Sequence, residues 1–229
     1  MKISRVVIYL FLMPLFIACQ PVTPQHVTLT IAPVPSTPSP VPTSISQSPD
    51  SLVEFVWRIK GEPYRLMRPG SMAFDAQDNL YVIDGSNDRV QKFDRDGKFL
   101  LKWGGPGRKD GQFTFSNGSS HVSALAIDAQ GLVYVADYKG IVQVFDGEGK
   151  FLRKWGGGLG DGDGQFISPR CMALDPQGNI YVADGDSDEH LDVFRIQKFD
   201  AEGHFLLKWS VQSFCLAVDQ QSHVYVGNP

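Results

Sequence analysis

The sequence predicts an all-β chain, a β-propeller assembled from repeated four-stranded antiparallel blades. Two observations carry this. One is a repeat: "NLYVIDGSNDRVQKFDRDGKFLLKWGG" (79–105) returns as "LVYVADYKGIVQVFDGEGKFLRKWGG" (132–157), and again, lengthened, from Asn179 to Trp209. The other is the content of each copy, four short runs of β-branched and aromatic residues separated by turn formers, with no sustained 3.6-residue period. Repetition of four strands every 45 to 50 residues or so is the pattern of propeller blades.

The register of the repeat is fixed by matched positions. Tyr81, Tyr134, Tyr181 and Tyr225 align, spaced by 53, 47 and 44 residues. An aspartate stands six residues before each: Asp75, Asp128, Asp175 and Asp219. Three residues after come Asp84, Asp137, Asp184 and Asn228. Each full copy then carries a phenylalanine (Phe93, Phe145, Phe199) and closes on a tryptophan (Trp103, Trp155, Trp209). In the first copy the predicted strands are "SMAFD", "NLYVID", "RVQKFD" and "KFLLKW". The inner strands are apolar on both faces, as blades stacked between neighbours require. The fourth alternates, with Phe99, Leu101 and Trp103 on one face and Lys102 on the other. A lysine on an outer edge strand discourages edge-to-edge pairing, and Lys154 and Lys208 repeat it.

The first fifty residues are built differently. Lys2 and Arg5 precede an apolar run from Val6 to Ile17, too short for the roughly twenty residues of a membrane span and suited to a signal peptide. The run ends in "FIAC", which resembles a bacterial lipobox. That resemblance implies cleavage before Cys19 and acylation of its sulfur. Residues 20–50 are dominated by Pro, Ser and Thr and cannot build a core. The expected organisation is a lipoprotein signal peptide (1–18), an extended tether (19–50) and the repeat domain (51–229). The expected location is the bacterial cell envelope, outside the cytoplasm, with the membrane reached through the N-terminal lipid. The formal net charge of −4 argues against a nucleic-acid partner, which needs a basic face.

The linkers between copies add a further match. "GDGDGQF" before Ile167, with "WGGPGRKDGQF" earlier, resembles the connector of the NHL-repeat family. The resemblance spans residues 51–229 and implies a six-bladed full-length propeller. These 179 residues make about three complete blades plus partial ones, so a C-terminally truncated chain is expected. "EFVWRIKG" (54–61) aligns with the fourth strand of a blade and is expected to be a lone outer strand.

Candidate sites follow from what differs between copies. Asp84, Asp137 and Asp184 recur in every blade and are expected to end strands and accept turn amides rather than hold a ligand. "DGDG" (161–164) lacks the ordered ligand series of a calcium loop. From the blade aspartate to the blade phenylalanine there are nine and eight residues in the first two copies but fifteen in the third. The added stretch brings Asp186, Asp188, Glu189 and His190 to the face that the interblade connectors share. Clustered carboxylates repel one another, so a cationic ligand or calcium is the chemistry this insert would take. Its alternative is a plain solvated loop. No catalytic or metal set can be drawn from the histidines. The expected role is a binding or scaffolding module for a protein, glycan or small molecule. The alternative is a propeller-type lyase or lactonase with a metal at the central channel, as some proteins of this shape are. Cys171 and Cys215 occupy equivalent places on adjacent innermost strands, where Ser71 and Ala124 stand in the other copies, and are expected to be free, buried thiols.

Overall fold

Asp75, Asp128, Asp175 and Asp219 show why the repeat folds locally as it does. In each, one carboxylate oxygen accepts two backbone amides across the turn, from Gln77 and Asn79 in the first copy and Gln130 and Leu132 in the second, all at 2.8–2.9 Å. This aspartate-closed turn reverses the chain between the first two strands of a blade. The other oxygen accepts the hydroxyl of the tyrosine six residues on, at 3.1, 2.9, 3.1 and 2.8 Å in the four copies. Burial, with that carboxylate adding to it, pushes the Tyr134 phenol up to about 12 and raises Tyr81 and Tyr181 as well.

The computed structural model describes residues 65–115, 123–188 and 191–227. The signal segment, Cys19, the tether and the strand expected at 54–61 lie outside these residues. The first blade is β1 (Pro69–Phe74), β2 (Leu80–Asp84), β3 (Arg89–Phe93) and β4 (Phe99–Gly104). The second is β5 (Ser123–Ile127), β6 (Val133–Asp137), β7 (Ile141–Phe145) and β8 (Phe151–Trp155). The third is β9 (Pro169–Leu174), β10 (Ile180–Asp188), β11 (Leu191–Phe199) and β12 (Phe205–Ser210). A two-stranded sheet follows, β13 (Cys215–Val218) and β14 (Val224–Gly227). All pairings within these sheets are antiparallel between sequence neighbours, the meander of a propeller blade. Among the described residues no helix is long and apolar enough to cross a membrane.

The blades pack through their inner strands, β1 against β5, β5 against β9 and β9 against β13. One core lies between the first and second blades, where Tyr81, Ile83 and Val90 meet Leu125, Val135 and Phe145. The next sets Tyr134 and Val142 of the second blade against Met172, Ile180 and Phe199 of the third. Connector residues Phe113 and Phe166 enter these cores fully buried. Edge-to-face pairs Phe93–Phe99, Phe145–Phe151 and Phe199–Phe205, at 5.9–6.1 Å, staple the third and fourth strands where the register shifts. Each such pair is worth about 0.5–1.5 kcal/mol beyond its buried area. The closing tryptophan reaches into the following blade. Trp103 lies on Gly149 and Trp155 on Gly203, so close that a Cβ there would stand 2.7 and 2.4 Å from the indole.

A smaller link repeats beside the axis. Ser71 Oγ accepts the Leu125 amide at 3.1 Å and lies 3.4 Å from the Leu125 carbonyl oxygen. Cys171 does the same toward Leu216, at 3.3 and 3.5 Å. Among the described residues Cys171 and Cys215 are free thiols, but neither is buried as expected: Cys171 is partly enclosed and Cys215 is exposed on β13. Burial pushes the Cys171 thiol up to about 11.

Candidate ligand face

The end of the stack where β2 passes to β3 carries the connectors between blades, and the repeated aspartates sit beneath them. Asp84, Asp137 and Asp184 are buried. They receive more than local turn amides. Asp137 accepts Thr114 N at 3.1 Å, and Asp184 accepts Ile167 N and Ser168 N at 2.8 and 2.7 Å, all from the preceding connector. A cation completes each latch. Arg195 pairs with Asp184 at 2.9 Å and also donates to the connector carbonyls of Gly160, Asp161 and Gln165. Lys139 lies 3.6 Å from Asp137 and donates to the Gly107 carbonyl, the counterpart of Gly160. A glutamine two residues along the third strand adds a clamp. Gln143 accepts Gly111 N and donates to Gln112 O, both at 2.8 Å, and Gln197 repeats this with Gly164 and Gln165. The connector motif therefore ends in Gly-Gln because the amide of one and the carbonyl of the other fill that clamp. Asp110 and Asp163 of the connectors pair with Lys154 and Lys208 at 2.6 and 2.7 Å, giving the outer-strand lysines a second task. These pairs are exposed and contribute about 0–1 kcal/mol each.

Burial raises the Asp137 carboxyl above its ordinary range, against the pull of Lys139 and the amides it accepts. A carboxyl raised in the folded state takes up protons on folding. Its contribution to stability is complete below the unfolded value near 3.9 and is lost as pH rises through the folded value. Asp137→Asn is therefore expected to flatten the decline of stability as pH rises above about 4. Urea melts across that range check it, and an unchanged slope would refute it.

The third blade departs from the other two just past its aspartate. β2 and β6 end at Asp84 and Asp137, whereas β10 and β11 continue pairing through Gly185↔Phe194, Asp186↔Val193, Ser187↔Asp192 and Asp188↔Leu191. The insert expected as a loop is thus a β-ladder over Gly185–Asp188 and Leu191–Phe194. Four extra residue pairs carry it roughly 13 Å beyond its neighbours at about 3.3 Å per residue. Asp186 and Asp188 lie on β10, and Glu189 and His190 lie outside the described residues.

At its base stands a cluster that the sequence reading missed. Gly70, Ser123, Arg170 and Phe214 are equivalent positions at the entrances of the four inner strands. Gly70 is in tight contact with Ser123, since a Cβ on it would meet Ser123 Oγ at 2.6 Å. The next pair is larger: the Arg170 guanidinium lies 4.8 Å over the Phe214 ring. Arg170 Nε also donates to Gly185 O at 2.9 Å, and Phe194 meets Phe214 edge-on at 5.2 Å. The hairpin base, the rim and the fourth sheet are thereby joined. Alignment of the repeat puts Arg170 and Phe214 where small residues stand in the first two blades, which is the signal that could have marked them.

The opposite end offers a cavity of about 420 Å³ among the turns after β5, β9 and β13, lined in part by Gln130, Gln177 and Gln220. Its aspartates are occupied by their own turn amides. At that end Asp200, Glu202 and His204 could bring ligand atoms within 4.8 Å of one another, but Asp200 already accepts the His204 ring at 2.9 Å.

No family model matches the chain. Protein brain tumor of Drosophila melanogaster is 28% identical over 141 residues, which is 62% of this chain and 12% of that protein. A streptogramin B lyase structure aligns with a TM-score of 0.47 at 13% identity, covering 68% of this chain and 46% of the other. A structural-genomics protein of unknown function from Bacteroides thetaiotaomicron aligns at 0.49 and 16%, covering 70% and 44%. The chain spans less than half of each of these three.

Proposed function

We propose that this chain is an NHL-type propeller module that binds a protein partner outside the cytoplasm, held to a membrane by a lipid on Cys19. The observation that carries the binding reading is the hairpin of β10 and β11, which rises beyond a rim formed by Gly70, Ser123, Arg170 and Phe214. That rim presents a cation, an aromatic ring and two small residues, a surface for recognition. Gly185 N donates to Ser168 O and Phe194 O accepts Val211 N; beyond that pair the ladder partners of the two strands among the described residues are only each other, so their outer edges offer main-chain groups to a partner. The repeated aspartates, by contrast, are consumed in holding connectors. The NHL assignment is supported by the spacing of the repeat and by the Gly-Gln clamp.

Two experiments separate the parts of this reading. Fatty-acid labelling is expected to mark the wild type and not Cys19→Ser, and equal labelling would remove the anchor. A photo-cross-linker at position 187 is expected to trap one envelope protein. Replacing residues 186–193 by a short turn, with Gly185 and Phe194 kept, should abolish its binding without lowering the melting temperature. Undiminished binding of the same protein would sink the hairpin reading.

A further inference from the structure

The inner-strand link between blades needs only one hydrogen-bonding side chain. Ser71 supplies it between the first and second blades, and its neighbour at the equivalent place, Ala124, takes no part beyond packing. Between the third and fourth, Cys171 supplies the same bonds to Leu216. The link explains a polar atom at 171. It explains neither a sulfur there nor a second sulfur at 215. The chain at Cys215 runs close against Cys171: the amide nitrogen of Leu216, the very next residue, lies 3.3 Å from the Cys171 sulfur, and β13 packs against β9. Disulfide formation requires that proximity, with Cα atoms within about 7 Å.

We infer that Cys171 and Cys215 form a disulfide that ties β9 to β13 when the protein meets a disulfide oxidant. Cys215, the exposed thiol, is the one such an oxidant reaches. Its thiolate attacks one sulfur of the oxidant, breaking that bond, forming a mixed disulfide and releasing the first thiol. Cys171 then attacks the Cys215 sulfur, forming the interblade bond and releasing the second. Two protons leave the protein thiols, two electrons pass to the oxidant, and the oxidant departs as two thiols. The Cys171 S–H contact with the Leu216 carbonyl is replaced by a covalent tie between the same two strands. Burial raises the Cys171 thiol to about 11, so resolution quickens as pH rises toward that value. Its rate is expected to rise about tenfold per pH unit below that value, as the thiolate fraction does. Occurrence of the bond in the cell depends on the export reading above, because an oxidising compartment supplies the oxidant. Its occurrence in vitro does not.

The test uses the purified full-length chain with oxidised glutathione, and a control that copies the protein's own first interblade pair: Cys171→Ser with Cys215→Ala. Trypsin cuts after Arg170, Arg195 and Lys208, so each cysteine falls in a separate peptide and Cys19 in another. In a non-reducing digest of the oxidised wild type, the peptide 171–195 is expected joined to the one that begins at Trp209. The melting temperature should rise by about 5–10 °C on oxidation and fall back on reduction. The double variant should fold and show no such response. Persistent glutathione adducts on both peptides, bonding of either to Cys19 or to a second chain, or free thiols throughout would each overturn the inference.

Discussion

Asp184→Ala is expected to cost about 3–5 kcal/mol of folding stability, the largest loss from any single latch residue. The carboxylate is fully enclosed and its partner Arg195 only 4% exposed. Removing it leaves a guanidinium buried without its counter-charge and two connector amides, Ile167 and Ser168, without acceptors. Asp137→Ala should lose less, about 1–3 kcal/mol, because Lys139 is only partly enclosed and can turn its ammonium into water. The double variant Asp184→Ala/Arg195→Leu should recover part of the loss, since an unpaired buried charge is worse than none. Urea denaturation of the four proteins measures this. Equal losses for Asp184→Ala and Asp137→Ala would show that the enclosed arginine is not the source of the cost.

Gly203→Ala is expected to destabilise by about 2–4 kcal/mol through the grip of one blade on the next. At φ +95° any side chain is strained, and a Cβ would stand 2.4 Å from Trp155. Gly131 supplies the comparison. Its φ of +82° is similar, but nothing lies within 4 Å of its would-be Cβ. Gly131→Ala should therefore show the backbone strain alone, about 1 kcal/mol. The excess for Gly203 is the cost of displacing the tryptophan from the neighbouring blade. Thermal melts with Trp fluorescence report both quantities, and equal destabilisation at the two glycines would discard the interblade contact as its cause.

Much of this architecture was legible because it repeats. "NLYVID" and "RVQKFD" became β2 and β3 to within one residue, since alternation, turn aspartates and Tyr–Asp spacing all agree there. Asp84, Asp137 and Asp184 were read as structural, and they are, but their partners lie 16 to 23 residues upstream in sequence. Spacing along a chain cannot reveal an acceptor filled from a connector. The insert of the third blade is expected as a loop from its place between the second and third strands. Cross-strand pairing turned it into a ladder, as β-structure depends more on the partner strand than on intrinsic preference. Arg170 and Phe214 were passed over because each sits in a different copy, and only packing of adjacent blades stacks one upon the other.

The clamp at Gln143 and Gln197 and the reach of Trp103 and Trp155 all join one blade, or the connector leaving it, to the next blade. Among the described residues the hairpin beyond Asp184 shows no such link along its edges besides the anchorage at Gly185 and Phe194. Its backbone amides are expected to exchange as a separate cooperative unit, opening more often than the blade beneath. A partner that paired with those edges, as proposed, would have to hold the closed form. The ordering entropy of a few residues becomes part of the association equilibrium, while Val182 and Gln197 below stay shielded from exchange throughout.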